Sequence, residues 1–261
     1  MSEKKSKGQE RYDELAYEKK NYFTVASKEE RKAIFDYAEG YKTFLDNAKT
    51  EREACEVAVK MAKDAGFTEY KFGDKLSAGD KKYFINRGKS VVVFRVGTKT
   101  LEEDGFRLIA SHIDAPRVDI KQNPLYEEAG LCFLKTHYYG GIKKYQWTTI
   151  PLALHGVVVL KNGKKVEIKV GEDPADPVFY IDDLLPHLGA EQMAKGGAKI
   201  IEGEQLNVVV GSMPYDDEKV EKKIKLTVLN ILNEKYGMCE EDFISAELSA
   251  CLLYTSDAAD D

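Results

Sequence analysis

The run Ala110-Ser-His-Ile-Asp-Ala-Pro-Arg-Val-Asp-Ile-Lys121 sets an imidazole and a carboxylate two residues apart, at His112 and Asp114. In extended backbone, residues two apart share a face, so these side chains project together. Such a pair can do metal chemistry: one ring nitrogen binds the ion while the carboxylate accepts the other N–H or contacts the surrounding site, fixing tautomer and orientation. His-x-Asp is short, however, and on spacing alone a satisfied histidine beside an exposed aspartate accounts for it more simply. His137, His155 and His187 follow at intervals that match no closed zinc module, and each reads as structural or exposed. A mononuclear site built from His112 and one of them is a weaker reading. The sequence contains no Gly-x-Ser-x-Gly elbow, no Gly-x-x-x-x-Gly-Lys phosphate loop and no His-Glu-x-x-His. Cys55 and Cys132 have no evident base beside them and read as buried apolar residues.

The elements that must position His112 follow from periodicity. An apolar strand over 106–111 is expected to run directly into it, next to a buried strand over 90–96 that is bounded by Gly88 and Gly97. Upstream, Ile34, Tyr37, Ala38, Tyr41, Phe44, Leu45 and Ala48 recur at helical spacing. Ser27 with Glu30 and Thr50 with Glu53 have capping-box spacing, and the helix after Thr50 is expected to stop at Gly66. From about 126 to 210 the texture turns β-rich, with strands expected over 152–160, 166–170 and 206–210, and Asn162-Gly163 predicts a hairpin. A helix over 216–236 carries Val220, Ile224, Val228, Ile231 and Leu232 and is expected to end at Gly237; residues 243–248 can begin a returning strand.

Composition narrows the partners. A chain of 261 residues, 43% apolar and 32% charged, can bury a core without disulfides. Its net charge of −6 offers no field for a phosphate backbone, so nucleic acid is not an expected partner, and the aromatic, basic stretch over 137–147 reads as a packed or interface loop. Four scattered cysteines fit a reducing, cytoplasmic setting. With no leader pattern and no apolar run near the roughly 18 residues of a membrane span, no membrane partner is expected.

Several ordered motifs together are more specific than His-x-Asp. Asn86-Arg-Gly-Lys-Ser90, Ser111-His-Ile-Asp-Ala-Pro-Arg117, Tyr139-Gly-Gly141, Trp147 and Leu185-Pro-His-Leu188 resemble the M18 family of metallo-aminopeptidases, the group containing aspartyl aminopeptidases, and its bacterial branch above all, over residues 10–248. The resemblance implies an α/β fold: a mixed sheet with flanking helices, here an incomplete zinc-peptidase catalytic domain, interrupted by a β-rich dimerisation insertion. On that pattern residues 1–122 are the amino-terminal part of the catalytic domain, 123–238 the insertion with a terminal helix, 239–248 the return to the catalytic domain, and 249–261 a non-native tail. It also implies two zinc ions, with His112 as a ligand and Asp114 supporting it, and a homo-oligomer formed through the insertion.

The rest of the implied constellation, a bridging aspartate, a Glu-Glu pair, a further aspartate and a late histidine, falls beyond Leu248. Glu247 precedes the bridging aspartate in that pattern and is not the base; Glu191 stands about where some members carry a histidine that reaches a neighbouring subunit. The expected function is zinc-dependent hydrolysis of the N-terminal residue of peptides, present as a truncated and inactive fragment. Arg117, Lys135, Lys143 and Lys144 raise an acidic N-terminal residue, Asp or Glu, as the preferred one. The alternative is a non-catalytic assembly or binding protein that retains the insertion.

Overall fold

A computed structural model describes residues 5–253 of the chain. Compactness divides the chain between Thr43 and Phe44. The first unit holds α1 (Lys7–Leu15), α2 (Tyr22–Val25) and most of α3 (Lys28–Asn47). Ser27 caps α3 as its spacing predicts: the Glu30 amide donates to Ser27 Oγ at 3.1 Å, and the Ser27 amide donates to Glu30 at 2.7 Å. Tyr37 and Tyr41, expected on the apolar face of α3, are 79% and 55% exposed. A helical stripe is buried only where another element covers it.

The second unit opens with α4 (Glu51–Asp64), whose N-terminus carries the Thr50–Glu53 capping box. It ends in a Schellman motif: Gly66 at φ +81° donates to Lys63 O, and Phe67 donates back to Ala62 O, each at 2.9 Å. β1 (Thr68–Glu69), β2 (Lys81–Asn86) and β3 (Ser90–Arg95) form a mixed three-stranded sheet in that order, β1–β2 parallel and β2–β3 antiparallel. Val59 and Ala62 of α4 pack against Tyr83 on this sheet, flanked by Phe67, Ile85 and Val91. β3 forms where expected but is not buried, since Val92 and Val93 remain 55% and 45% exposed. Helix α4 shields one side of a short sheet, whereas a buried strand needs a layer on each face.

After α5 (Leu101–Asp104), residues 105–116 run without regular structure. The strand expected over 106–111 is therefore corrected. Phe106, Leu108 and Ile109 are 74%, 74% and 98% exposed, and no ladder joins this segment to β3 among the described residues. Apolar character favours a strand only when a neighbour takes its amides and carbonyls.

The larger layer is a seven-stranded sheet of β4 (Arg117–Glu128), β5 (Leu131–Tyr139), β6 (Leu152–Val159), β7 (Lys165–Val170), β8 (Tyr180–Ile181), β9 (Val208–Gly211) and β10 (Ala246–Leu252). Its order is β7-β6-β10-β4-β5-β9-β8, and every neighbouring pair is antiparallel. Between β8 and β9 lies α6 (Ala190–Met193), and α7 (Lys223–Tyr236) precedes β10. α7 buries Ile224 and lays Val228, Leu229 and Leu232 against a core that includes Val118, Leu134, Leu152, Val158, Leu206 and Met238. It ends at Gly237 in the left-handed region, as expected, but begins at Lys223. Residues 216–222 turn instead, because the Asp217 carboxylate takes the Lys219 amide at 2.8 Å and Tyr215 N–H reaches Lys223 O.

The Asn162-Gly163 hairpin is present with a three-residue loop: Gly163 N–H closes on Leu160 O at 2.7 Å, and Gly163 takes φ +83° before β7 begins. The expected division at 122/123 falls inside β4, and β10 runs through 248 to Leu252 between β4 and β6. The β-rich stretch and the segments flanking it thus share one sheet.

Candidate functional site

His112 and Asp114 lie just ahead of Arg117, the first residue of β4, and they meet. His112 Nδ1 is 3.2 Å from Asp114 Oδ1 and 3.0 Å from the Asp114 carbonyl oxygen. The imidazole is 83% exposed, so its Nε2 side is open, while the Asp114 side chain is 31% exposed. The Tyr139 hydroxyl holds the Asp114 carboxyl below its ordinary range, aided by its own backbone amide, His112 and Arg117. Tyr139 is placed for this by the antiparallel register, which sets it opposite Arg117 across β4 and β5.

Arg117 ties the pair to the rest of the fold. Its guanidinium sits 4.3 Å from the Tyr139 ring centroid, binds Glu51 of α4 at 2.8 Å and donates to Asp119 at 2.8 Å. Ser249 Oγ of β10 closes the cluster, donating to the same Asp119 oxygen at 2.6 Å. Two carboxylates thus neutralise Arg117, which removes it as a free cation for an acidic substrate. Lys135 and Lys144 stand over the rings of Tyr126 and Tyr138, at 5.4 and 5.5 Å. Beside Arg117, Arg52 and Lys89 both hold Glu247, at 2.7 and 2.6 Å. These residues line one polar cleft together with Thr50, Glu51, Gln122 and Gly156.

The remaining histidines do not join His112. His137 stacks on Tyr138, with ring centroids 5.7 Å apart, and His187 is exposed. His155 is fully buried between two carboxylates, Glu53 at 2.7 Å and Glu172 at 2.9 Å. Neither contact is legible in sequence, because the partners lie on α4 and beyond β7. All four cysteines are free; Cys55, Cys132 and Cys251 are buried, and burial pushes the Cys132 thiol up to about 11 and Cys251 to about 12. Buried thiols raised in this way, Cys132 and Cys251, stay protonated at neutral pH.

A zinc ion held by protein takes three or four ligands. His112 and Asp114 supply two candidate groups, and among the described residues no group of three or more His, Cys, Asp or Glu side chains could hold a metal ion. The described residues do not by themselves complete a zinc site.

The family model for Aminopeptidase I zinc metalloprotease (M18) matches residues 44–259. The chain belongs to the M18 family. It is 47% identical over 240 residues to a probable M18 family aminopeptidase 1 of Clostridium acetobutylicum, covering 90% of this chain and 51% of that protein. The crystal structure of an M18 aminopeptidase from Thermotoga maritima superposes with a TM-score of 0.84 at 39% identity, over 92% of this chain and 51% of that one. A more distant likeness, 22% identical with a TM-score of 0.59, is to the mApe1 dodecamer of S. cerevisiae, covering 84% of this chain and 48% of that one, and it speaks to the fold alone. This M18 chain spans about half the length of the curated relatives it matches. No helix among the described residues is long and apolar enough to cross a membrane.

Proposed function

We propose that this chain is the amino-terminal portion of a zinc-dependent, cytoplasmic aminopeptidase that removes the N-terminal residue of peptides, and that it is inactive by itself. Membership of the M18 family supports the reaction class. The observation that carries the assignment of residues is the His112–Asp114 pair, open on its Nε2 side and fixed on its Nδ1 side. In this reading His112 is a zinc ligand, Asp114 orients it, and the other ligands of two zinc ions and the glutamate base come from outside the described residues. When bound, the metal would supply a Lewis acid for the peptide carbonyl and its water. This chain's contribution is the held imidazole.

The β-rich segment over 123–238 serves as the homo-oligomerisation module of the whole protein, a reading in keeping with its well-buried sheet and with the exposed Leu184, Leu185 and Leu188 on its connection. A preference for an N-terminal Asp or Glu rests on Lys135, Lys143 and Lys144, since Arg117 is already paired. It is to be dropped if a full-length version cleaves neutral N-terminal residues faster. The purified 261-residue chain, given zinc and a panel of aminoacyl chromogenic substrates, is expected to release nothing above background. Robust turnover would overturn the incomplete-site reading. In a full-length version, His112→Ala is expected to lower the zinc content by metal analysis, and equal zinc in both proteins would remove His112 from the ligand set. A full-length version that binds zinc normally but cleaves no peptide would favour the second reading, an assembly protein that keeps the β-rich module.

A further inference from the structure

We propose that His155 stands as an imidazolium between Glu53 and Glu172, an ionic rivet that fastens the first turn of α4 to β6, the second strand of the seven-stranded sheet, and that opens when the second ring proton leaves. The argument begins with hydrogen-bond inventory. His155 Nδ1 lies 2.7 Å from Glu53 Oε1 and Nε2 lies 2.9 Å from Glu172 Oε1, so both ring nitrogens face carboxylate oxygens. A neutral imidazole has one N–H and one lone pair. It satisfies one of these contacts and turns the other into lone pair against carboxylate, in a site where the His155 side chain is 0% exposed. Buried like-with-like contacts of this kind are costly, whereas a paired and hydrogen-bonded charge is tolerated.

The surroundings balance the charge. Lys49 Nζ lies 3.1 Å from the same Glu172 oxygen and is itself 3% exposed along its side chain. It also donates to the carbonyls of Leu252 and Leu253 at 2.8 and 2.7 Å. Among the groups in hydrogen-bond contact with one another, two carboxylates, one ammonium and one imidazolium cancel. Lys169 of β7 stands opposite His155 in the ladder, Ser249 of β10 stands on its other side, and the Cys251 thiol of β10 is protonated. Burial pushes the Glu53 carboxyl up, but the hydrogen bonds from His155 and Thr50, with the charges of His155 and Lys169, outweigh it and hold Glu53 below its ordinary value. Glu53 is therefore held in its ionised form beside the ring.

The consequence is mechanical. Glu53 Oε2 accepts from the Thr50 amide at 3.0 Å and the Thr50 hydroxyl at 3.1 Å, closing the cap of α4. One carboxylate thus caps the helix and grips β6, and the imidazolium passes that grip on to the turn after β7.

The test uses the whole 261-residue chain labelled with 15N at its four histidines, with His155 assigned through His155→Gln. Expected near neutral pH are two protonated ring nitrogens with slowly exchanging N–H signals for His155, and one in Glu172→Gln. A single protonated nitrogen in the wild-type chain overturns the proposal. Amide exchange then tests the mechanics: as pH rises through loss of the second proton, protection of the first-turn amides of α4 is expected to fall about tenfold, the size of one lost charged hydrogen bond. Unchanged protection through that step overturns the rivet even if both protons are seen. Should His155→Gln fail to fold, Glu172→Gln supplies both the assignment and the comparison.

Discussion

Gly156 marks the closest approach of two strands in the site region. It holds φ +144°, and a Cβ added there would sit 1.9 Å from the carbonyl oxygen of Glu247 across the β6–β10 ladder. No side-chain rearrangement relieves a clash with backbone, so Gly156→Ala is expected to cost about 3 kcal/mol, the upper part of the overpacking range. The check is a urea midpoint followed by the fluorescence of the single tryptophan, Trp147, which is buried in this core. An unchanged midpoint would show that β6 and β10 do not approach so closely. At this scale the sequence disclosed what is local. The meeting of His112 with Asp114 follows from a separation of two, and the burial of Cys132 agrees with its apolar sequence neighbours Leu131 and Phe133. The pairs Arg117–Glu51, Ser249–Asp119 and His155–Glu53 were hidden, because each joins residues at least 66 positions apart and depends on strand register.

Helix α4 is where these long-range contacts converge. Its first turn supplies Glu51 to Arg117, Arg52 to Glu247 and Glu53 to His155, so its cap controls more than its own start. Thr50→Ala removes the hydroxyl that accepts from the Glu53 amide, and is expected to cost about 1 kcal/mol in a denaturation midpoint. A loss well above that would show that the cap and the His155 contact act as one unit. The same turn sets the acid response. Burial raises Glu53 and Glu247, yet His155 and Thr50 hold the first below its ordinary value, and Lys89 and Arg52 hold the second below its own. Carboxyls lowered in the folded chain add stability that is present above their unfolded values, near 4.3, and lost as pH falls through their lower folded values. A pH series of urea midpoints is expected to be flat in the range of about 5 to 7 and to drop below about 4. In Glu53→Gln with Glu247→Gln the acid drop should be shallower. Capping boxes and the Asn162-Gly163 hairpin were legible because four residues contain the whole signal. The missing strand over 106–111 was not, since strand formation is decided by a neighbour that apolar sequence does not specify.

For the whole molecule, that helices combine with a β-rich stretch was readable from the alternation of texture, but the sheet order β7-β6-β10-β4-β5-β9-β8 was not. It places the last described strand between the first and third strands of its own sheet, an arrangement that no local pattern encodes. That arrangement makes a specific proteolysis experiment informative. Residues 105–116 lie outside both sheets and expose Arg107 between Phe106 and Leu108, whereas β4 is stitched to β5 and β10 directly afterward. Local stability should therefore be lowest in this segment, and brief trypsin treatment is expected to cut at Arg107 first. The two pieces should nonetheless stay together, because α4 from one piece is held to the sheet of the other by Glu51–Arg117, Arg52–Glu247 and Glu53–His155. Size-exclusion chromatography of the nicked chain at neutral pH is expected to show one peak containing both fragments. Dissociation at neutral pH would mean that these three contacts do not hold the layers. Dissociation that sets in as pH is raised, while Glu172→Gln falls apart at a lower pH than the wild type, would place the strongest of them at His155.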